Sequence, residues 1–274
     1  MMDSAAGKDK GFLRRTEALL GEEVLEKFAD TRISIAGLGG VGGAILTGLV
    51  RLGFGKYSIA DPGKFDPPDM NRQMAATHDT LGQNKAKVYE KFIKSVNPGA
   101  DVRLFTEGVK EGNIDAFLED SDLLIEALDL KVPVELRLQV ASRAREQGLY
   151  NISAPIVAFG TLVAIADPKG ESMEPFMRLV DRARVEGVLP KGFAEHFPME
   201  QLAVMRAQML KGVVPSIAVA PMLCAAAVCT EAIMIVGGKA VPGWRAPLCL
   251  PDLQVLEVSG GNYNKANVND WINE

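Results

Sequence analysis

The stretch that decides the fold runs from Arg32 to Leu52 and reads RISIAGLGGVGGAILTGLVRL. Its first five residues form a short apolar, β-branched run of the kind a buried strand uses. Gly37, Gly39 and Gly42 then satisfy GxGxxG, with Gly40 inside the pattern, and residues 43–52 carry apolar side chains at helical spacing. A strand, a glycine turn and a helix start make an anion site by construction. Glycine lets the backbone approach a polyphosphate, and the free N–H groups at the helix start favour negative charge. A second strand, 57–60, closes on Asp61, nineteen residues past Gly42. An acidic side chain there reaches ribose hydroxyls. Taken alone, the glycine turn and Asp61 indicate a nucleotide and do not separate ATP from NAD(P).

Working outward, the spacing predicts a helix over 17–29, before the first strand. A Pro- and Asp-rich loop follows Asp61 to about residue 70, and a helix over 83–95 is stopped by Asn97-Pro98-Gly99. Strands are predicted at 101–106, 122–127, 149–153 and 156–165, with a helix at 133–147. This alternation predicts an α/β fold with a doubly wound, mostly parallel sheet, Rossmann-like in kind. After Pro168 the texture changes. Two amphipathic helices are expected at 174–187 and 199–211, an apolar crossover helix at 216–237, and one or two late strands within 245–258. The tail GGNYNKANVNDWINE reads as an exposed end. The domain expectation is an N-terminal helical arm (1–30), a nucleotide-binding core (31–168), and a helical insert, apolar helix and C-terminal strands of the same domain (169–274).

At 274 residues the chain can bury a core without a disulfide or metal staple. Its net charge of −5 argues against a large nucleic-acid footprint, which carries a basic excess. The three cysteines, Cys224, Cys229 and Cys249, have no CxxC spacing, which excludes a paired-CxxC zinc site and a thioredoxin-type motif and fits a reducing compartment. The polar start MMDSAAGKDKGFLRR does not read as a signal peptide, so a cytoplasmic protein is expected. The apolar stretch Pro215–Gly237 contains Glu231 and two prolines and reads as a buried helix rather than a membrane span.

Three further positions bear on the chemistry. Arg72, within Asp69-Met70-Asn71-Arg72-Gln73, and Lys85, within Gly82-Gln83-Asn84-Lys85, follow the second strand. An oxidoreductase has no standing need for such a pair there, whereas pyrophosphate must leave with its charge neutralised. The bland alternatives are a surface ion pair for Arg72 and a solvated first-turn residue for Lys85. Asp129 ends the run LLIEALD at the carboxyl edge, where open α/β sheets bind ligands. A carboxylate facing phosphates suits Mg²⁺; the competing reading is an N-cap for the helix starting near Pro133.

Jointly, GLGGVGG, the strand ending in Asp61, DMNRQ, GQNKAK, LIEALD and APIVAFG resemble the adenylating domain of the E1-like superfamily, whose bacterial members are the MoeB, ThiF and HesA proteins. The likeness covers about residues 12–165 and, more loosely, the helix at 215–237. RRTEALLGEEVLEKFAD resembles the start of the TcdA-type branch, the tRNA threonylcarbamoyladenosine dehydratases. The resemblance implies that Gly37, Gly39, Gly40 and Gly42 cradle ATP phosphates and that Asp61 holds the ribose. It implies that Arg72 and Lys85 grip phosphates, that Asp129 binds Mg²⁺, and that Asn71, Gln73 and Leu128 complete the nucleotide site. Arg14 or Arg15 would reach into the partner subunit's site of a homodimer. The implied reaction is attack of a carboxylate on the α-phosphate, giving an acyl-adenylate and pyrophosphate.

The chain departs from the pattern in two ways. Asp69 stands where the family usually has Asn, and an ionised carboxylate cannot donate to a phosphate; Asp69 could hold the cation instead, or Asn71 could donate in its place. No cysteine occupies 170–200, where many members place a nucleophile. Cys224 and Cys229 read as inert packing residues on the apolar helix, Cys249 as slightly more open, His78 as a surface residue, His196 as a loop residue, and the methionines Met199, Met205 and Met209 as core filling. The expected activity is therefore ATP- and Mg²⁺-dependent adenylylation without a relay cysteine. The activated group would be a ubiquitin-like protein's C-terminus, a peptide, or a modified-nucleoside carboxylate, with tRNA disfavoured by the acidic balance. The alternatives are an NAD(P)-dependent oxidoreductase and a catalytically silent E1-like binding module.

Overall fold

In the computed structural model, residues 11–186, 191–209, 211 and 215–272 are described. The polar start, residues 1–10, lies outside them, as do residue 187, where the first of the two expected amphipathic helices ends, and residue 210 within the second. The helix expected at 17–29 is two helices, α1 (Arg14–Leu20) and α2 (Glu22–Asp30). Gly21, at φ +86°, breaks them, a conformation that costs glycine nothing. Then come β1 (Arg32–Ala36), α3 (Gly40–Leu52), β2 (Lys56–Ala60), α4 (Lys85–Val96), β3 (Asp101–Phe105), α5 (Ile114–Leu118), β4 (Leu123–Glu126), α6 (Val134–Glu146) and β5 (Tyr150–Ser153). The single strand expected at 156–165 is a hairpin, β6 (Ile156–Val157) and β7 (Gly160–Ala166).

The sheet order is β3-β2-β1-β4-β5-β7, continuing into two late strands, β8 (Asp252–Glu257) and β9 (Asn262–Asn267). The first five strands are parallel, and β7, β8 and β9 each join antiparallel. β1 lies between β2 and β4, so the strand order reverses direction at the carboxyl end of β1. Ligands bind outside such a switch point in open α/β sheets.

Side chains alternate across the strands and feed two layers. Ile33, Ile35, Leu123, Ile125 and Ile152 pack with α2, α3, α4 and the apolar helix α10 (Val219–Gly237). Ala36, Ala60 and Leu124 pack with α5 and α6. Gly48 lets α10 close onto α3, since a Cβ there would stand 2.6 Å from Cys229 Sγ. Among the described residues, one helix, Val219–Ala240, is long and apolar enough to cross a membrane. In this fold it packs on α3 and β7, with Cys224, Val228, Glu231 and Ala232 buried.

The C-terminal region differs from its sequence reading. The late strands, α7 (Glu174–Glu186), α8 (Lys191–Ala194) and α11 (Val268–Ile272) enclose a further core that includes Phe176, Met177, Leu253, Val255 and Trp271. The tail is therefore not an exposed end. It supplies the edge strand β9, polar as edge strands tend to be, and α11, anchored by buried Val268 and Trp271. Within α9 (Met199–Met209) only Leu202 is buried, and Met199 is 67% exposed, so Met199 does not fill the core as expected.

Candidate nucleotide site

The glycine turn leaves β1 with Gly37 at φ +92°. Two of its glycines are required by the protein's own backbone. A Cβ on Gly37 would lie 2.2 Å from the Ala127 carbonyl oxygen, and one on Gly42 would lie 1.9 Å from that of Gly37. Gly39 differs, because a Cβ there would meet nothing nearer than the Gln73 amide nitrogen at 3.9 Å. The space above Gly39 is open, as a cradle for a ligand requires. α3 begins immediately after it with no side-chain cap, so its first-turn N–H groups have no intrahelical acceptor.

Asp61 is fixed by this turn. Its Oδ2 accepts the Leu38 N–H at 2.7 Å, and its Oδ1 accepts the Gly63 N–H at 2.7 Å. Asn84, as the N-cap of α4, accepts from the Lys87 N–H at 3.1 Å and donates to the Asp61 and Gly63 carbonyls at 3.1 and 3.3 Å. The loop after β2 and the start of α4 are thus knitted together, which delivers Lys85 to the crevice. Asn84 was not picked out from the sequence, although an Asn directly before a periodic helix is a cap signal.

Lys85 and Arg72 converge on Asp69. Lys85 Nζ stands 3.1 Å from Asp69 Oδ2, and Arg72 Nη2 stands 3.6 Å from Asp69 Oδ1. Asp69 is 7% exposed and also accepts the Gln73 side-chain amide and, at 3.3 Å, the Asp66 N–H. Lys85 is therefore not a solvated first-turn residue, and Asp69 is engaged by both cations of the site. Arg72 Nη1 also donates to Pro68 O and Asn71 Oδ1 at 3.1 and 3.0 Å. Asn71 uses its amide N–H on Ser216 O at 2.8 Å, a tie between this loop and the approach to α10. Buried Gln73, whose amide nitrogen is the atom nearest the space over Gly39, keeps a carbonyl oxygen without a partner among the described residues.

Asp129 lies at the carboxyl edge of β4, exposed. It does not cap α6, whose N-cap is Pro133 with no side-chain cap. Its Oδ1 accepts the Lys131 N–H at 2.8 Å, and its other oxygen has no bond among the described residues. Leu128 is half-buried beside Gly37. Arg14 and Arg15 are exposed on α1. Leu13, just before them, packs on Gly53 at the opposite end of α3 from the glycine turn, which places both arginines roughly 20 Å from their own crevice.

The thiols lie apart from this cluster. Burial pushes Cys224 and Cys229 each up to about 12. Cys249 is pushed up to about 11 by burial and by the charges of Asp167 and Glu231. None is an activated nucleophile, which needs a lowered pKa. His78 is exposed, and His196 packs on Trp271. Among the described residues no group of three His, Cys, Asp or Glu could hold a metal.

A doubly wound sheet, an open glycine cradle at its switch point and a cation pair beside it define an α/β nucleotide-binding fold of the E1-like kind. The chain belongs to the ThiF family, whose model matches residues 13–265. It is 32% identical over 115 residues to the tRNA threonylcarbamoyladenosine dehydratase of Escherichia coli, covering 42% of this chain and 43% of that one. It is 29% identical over 205 residues to the enzyme of the same name from Bacillus subtilis, covering 73% and 79%. A crystal structure of E. coli MccB with ATP matches 95% of this chain and 72% of that one, at a TM-score of 0.68 and 16% identity.

Proposed function

We propose that this chain is an ATP-dependent adenylyltransferase that activates a carboxylate as its acyl-adenylate and releases pyrophosphate. The observation that carries the reading is the pairing of Lys85 and Arg72 beside the open space over Gly39. Phosphates laid across that turn would meet the N–H groups at the start of α3 on one side and the two cations on the other. MccB, whose likeness to this chain is one of fold, was crystallised with ATP.

In the proposed reaction a carboxylate oxygen bonds to the α-phosphorus, and the bond from that phosphorus to the β-bridging oxygen breaks. The chain's contribution is positioning and charge neutralisation. Asp61, locked by two backbone N–H groups, orients the ribose. Lys85 and Arg72 balance the charge of the departing pyrophosphate. The donor set fits Mg²⁺ held by one protein carboxylate with phosphate oxygens, because Asp129 keeps an oxygen unused among the described residues. When bound there, the ion would neutralise phosphate charge. Arg14 and Arg15 cannot reach their own crevice, which supports a homodimer in which one of them serves the partner's site. Met70, Met74, Ile217, Val219 and Met222 are exposed on the two segments that Asn71 ties together through Ser216, apolar surface that suits such a contact or a docked acceptor.

A second reading concerns the acceptor. The names of the two dehydratases favour a carboxylate carried on a modified tRNA nucleoside. Both readings are tested by ATP–pyrophosphate exchange with tRNA, peptide and small-carboxylate acceptors. Exchange should appear with one acceptor class and fall about a hundredfold in Lys85→Ala. Equal exchange in Lys85→Ala and wild type would remove the cation pair from the mechanism.

A further inference from the structure

Asp69 is the feature the proposed reaction does not use. It is a buried carboxylate placed against both cations that a phosphate chain would need, 3.1 Å from Lys85 Nζ and 3.6 Å from Arg72 Nη2. Lys85 is itself only 13% exposed in its side chain, and its ammonium lies 5.5 Å from the centre of the Phe65 ring, so little water screens this pair. The crevice as a whole sets three carboxylates, Asp61, Asp69 and Asp129, against two cations. Asp61 is committed to backbone N–H groups and Asp129 stands at the rim, which leaves Asp69 as the direct competitor for Lys85 and Arg72.

We infer that Asp69 is a specificity-determining residue that sets how much phosphate charge the site accepts. This rests on the nucleotide reading above and deepens it. The carboxylate holds Lys85 and Arg72 in place before a ligand arrives and opposes each further negative charge brought to them. It thereby lowers affinity for a polyphosphate while leaving recognition of the nucleoside untouched. An acyl-adenylate, with one bridging phosphate, is penalised least and ATP most. The device therefore favours retention of the intermediate over the substrate.

The test is calorimetric titration of wild type, Asp69→Asn and Asp69→Ser with adenosine, AMP and ATP, all in EDTA, with thermal melts recorded alongside. Asp69→Asn should bind ATP about tenfold more tightly than wild type does, AMP with a smaller gain, and adenosine unchanged. Asp69→Ser, which removes the charge with a shorter side chain, should show the same ordering. The dependence on ligand charge is the readout that a purely structural role would not produce. An equal change for all three ligands, or weaker ATP binding in both variants, overturns the inference while leaving the nucleotide site standing. If no protein in the series binds any of the three ligands, the nucleotide reading itself falls and takes this inference with it.

Discussion

Glu126 and Asp69 each bring a carboxylate to a buried position in an ion pair, yet the two clusters differ in how far they are closed off from solvent. Glu126, the last residue of β4, takes two parallel bonds from Arg137 of α6, at 2.9 and 3.0 Å, and a third from the Ser153 hydroxyl at 2.9 Å. Both charged side chains are 4% exposed or less. Burial works against the Arg137 charge, but Glu126, with help from Asp181 and Asp129, outweighs it and holds the guanidinium above its usual pKa. Asp69 instead meets its cations one-sidedly. Lys85 and Arg72 keep 13% and 27% of their side chains in contact with solvent. One cluster fastens α6 to the sheet, and the other leaves its two cations partly open to solvent.

The contrast is broken most severely at Glu126. Removing one partner of a buried pair strands the other charge, at about 3–5 kcal/mol. Glu126→Ala should lose that much stability in urea melts, whereas Lys85→Met, which leaves Asp69 with Arg72, Gln73 and the Asp66 N–H, should lose only about 1 kcal/mol. Similar losses would mean that both clusters are structural. The glycines sharpen the comparison at a smaller scale. Gly42→Ala forces a methyl group to within 1.9 Å of a backbone oxygen and should unfold the turn. Gly39→Ala, with open space around it, should cost under about 1 kcal/mol and still lose ATP in a calorimetric titration. Retained ATP binding in Gly39→Ala would place the phosphates elsewhere.

The parallel half of the molecule was legible because its signals are local. Arg32–Ala36, the glycine turn and the Asn97-Pro98-Gly99 stop are each read within a few residues, and the positions of Arg72, Lys85 and Asp61 follow from them. What was missed depends on contacts between distant segments. Asn262–Asn267 is polar in sequence and becomes a strand only because β8 offers it a partner. Trp271 is buried by α7 and α8, far from it along the chain. Gly21 is one residue within an otherwise periodic segment, and its positive φ is set by how α1 and α2 pack. The engagement of Asp69 by both cations required the turn at Pro67–Asn71 to fold back onto α4, which no spacing rule contains.

The mildest effect separates the sealed interior from the open edge by pH. Cys224 and Cys229 lie in the α10 contact, with thiol pKa values pushed from 9.0 to about 12 by burial. A group whose folded pKa is raised contributes stability that is complete below its unfolded pKa and is lost as pH climbs through the folded value. Between about pH 9 and pH 12 each thiol should therefore steepen the alkaline loss of stability by about 1.4 kcal/mol per pH unit. Urea melts of Cys224→Ala and Cys229→Ala across that window should show a shallower slope than wild type, whatever packing each variant loses at neutral pH. The intermediate case is Cys249, at about 11, which should react slowly with a thiol probe at pH 8 in the native protein while the other two react only on unfolding. A wild-type slope in both alanine variants would mean that water already reaches the α3–α10 seam, and the distinction between a sealed core and an open crevice would then rest on the charged clusters alone.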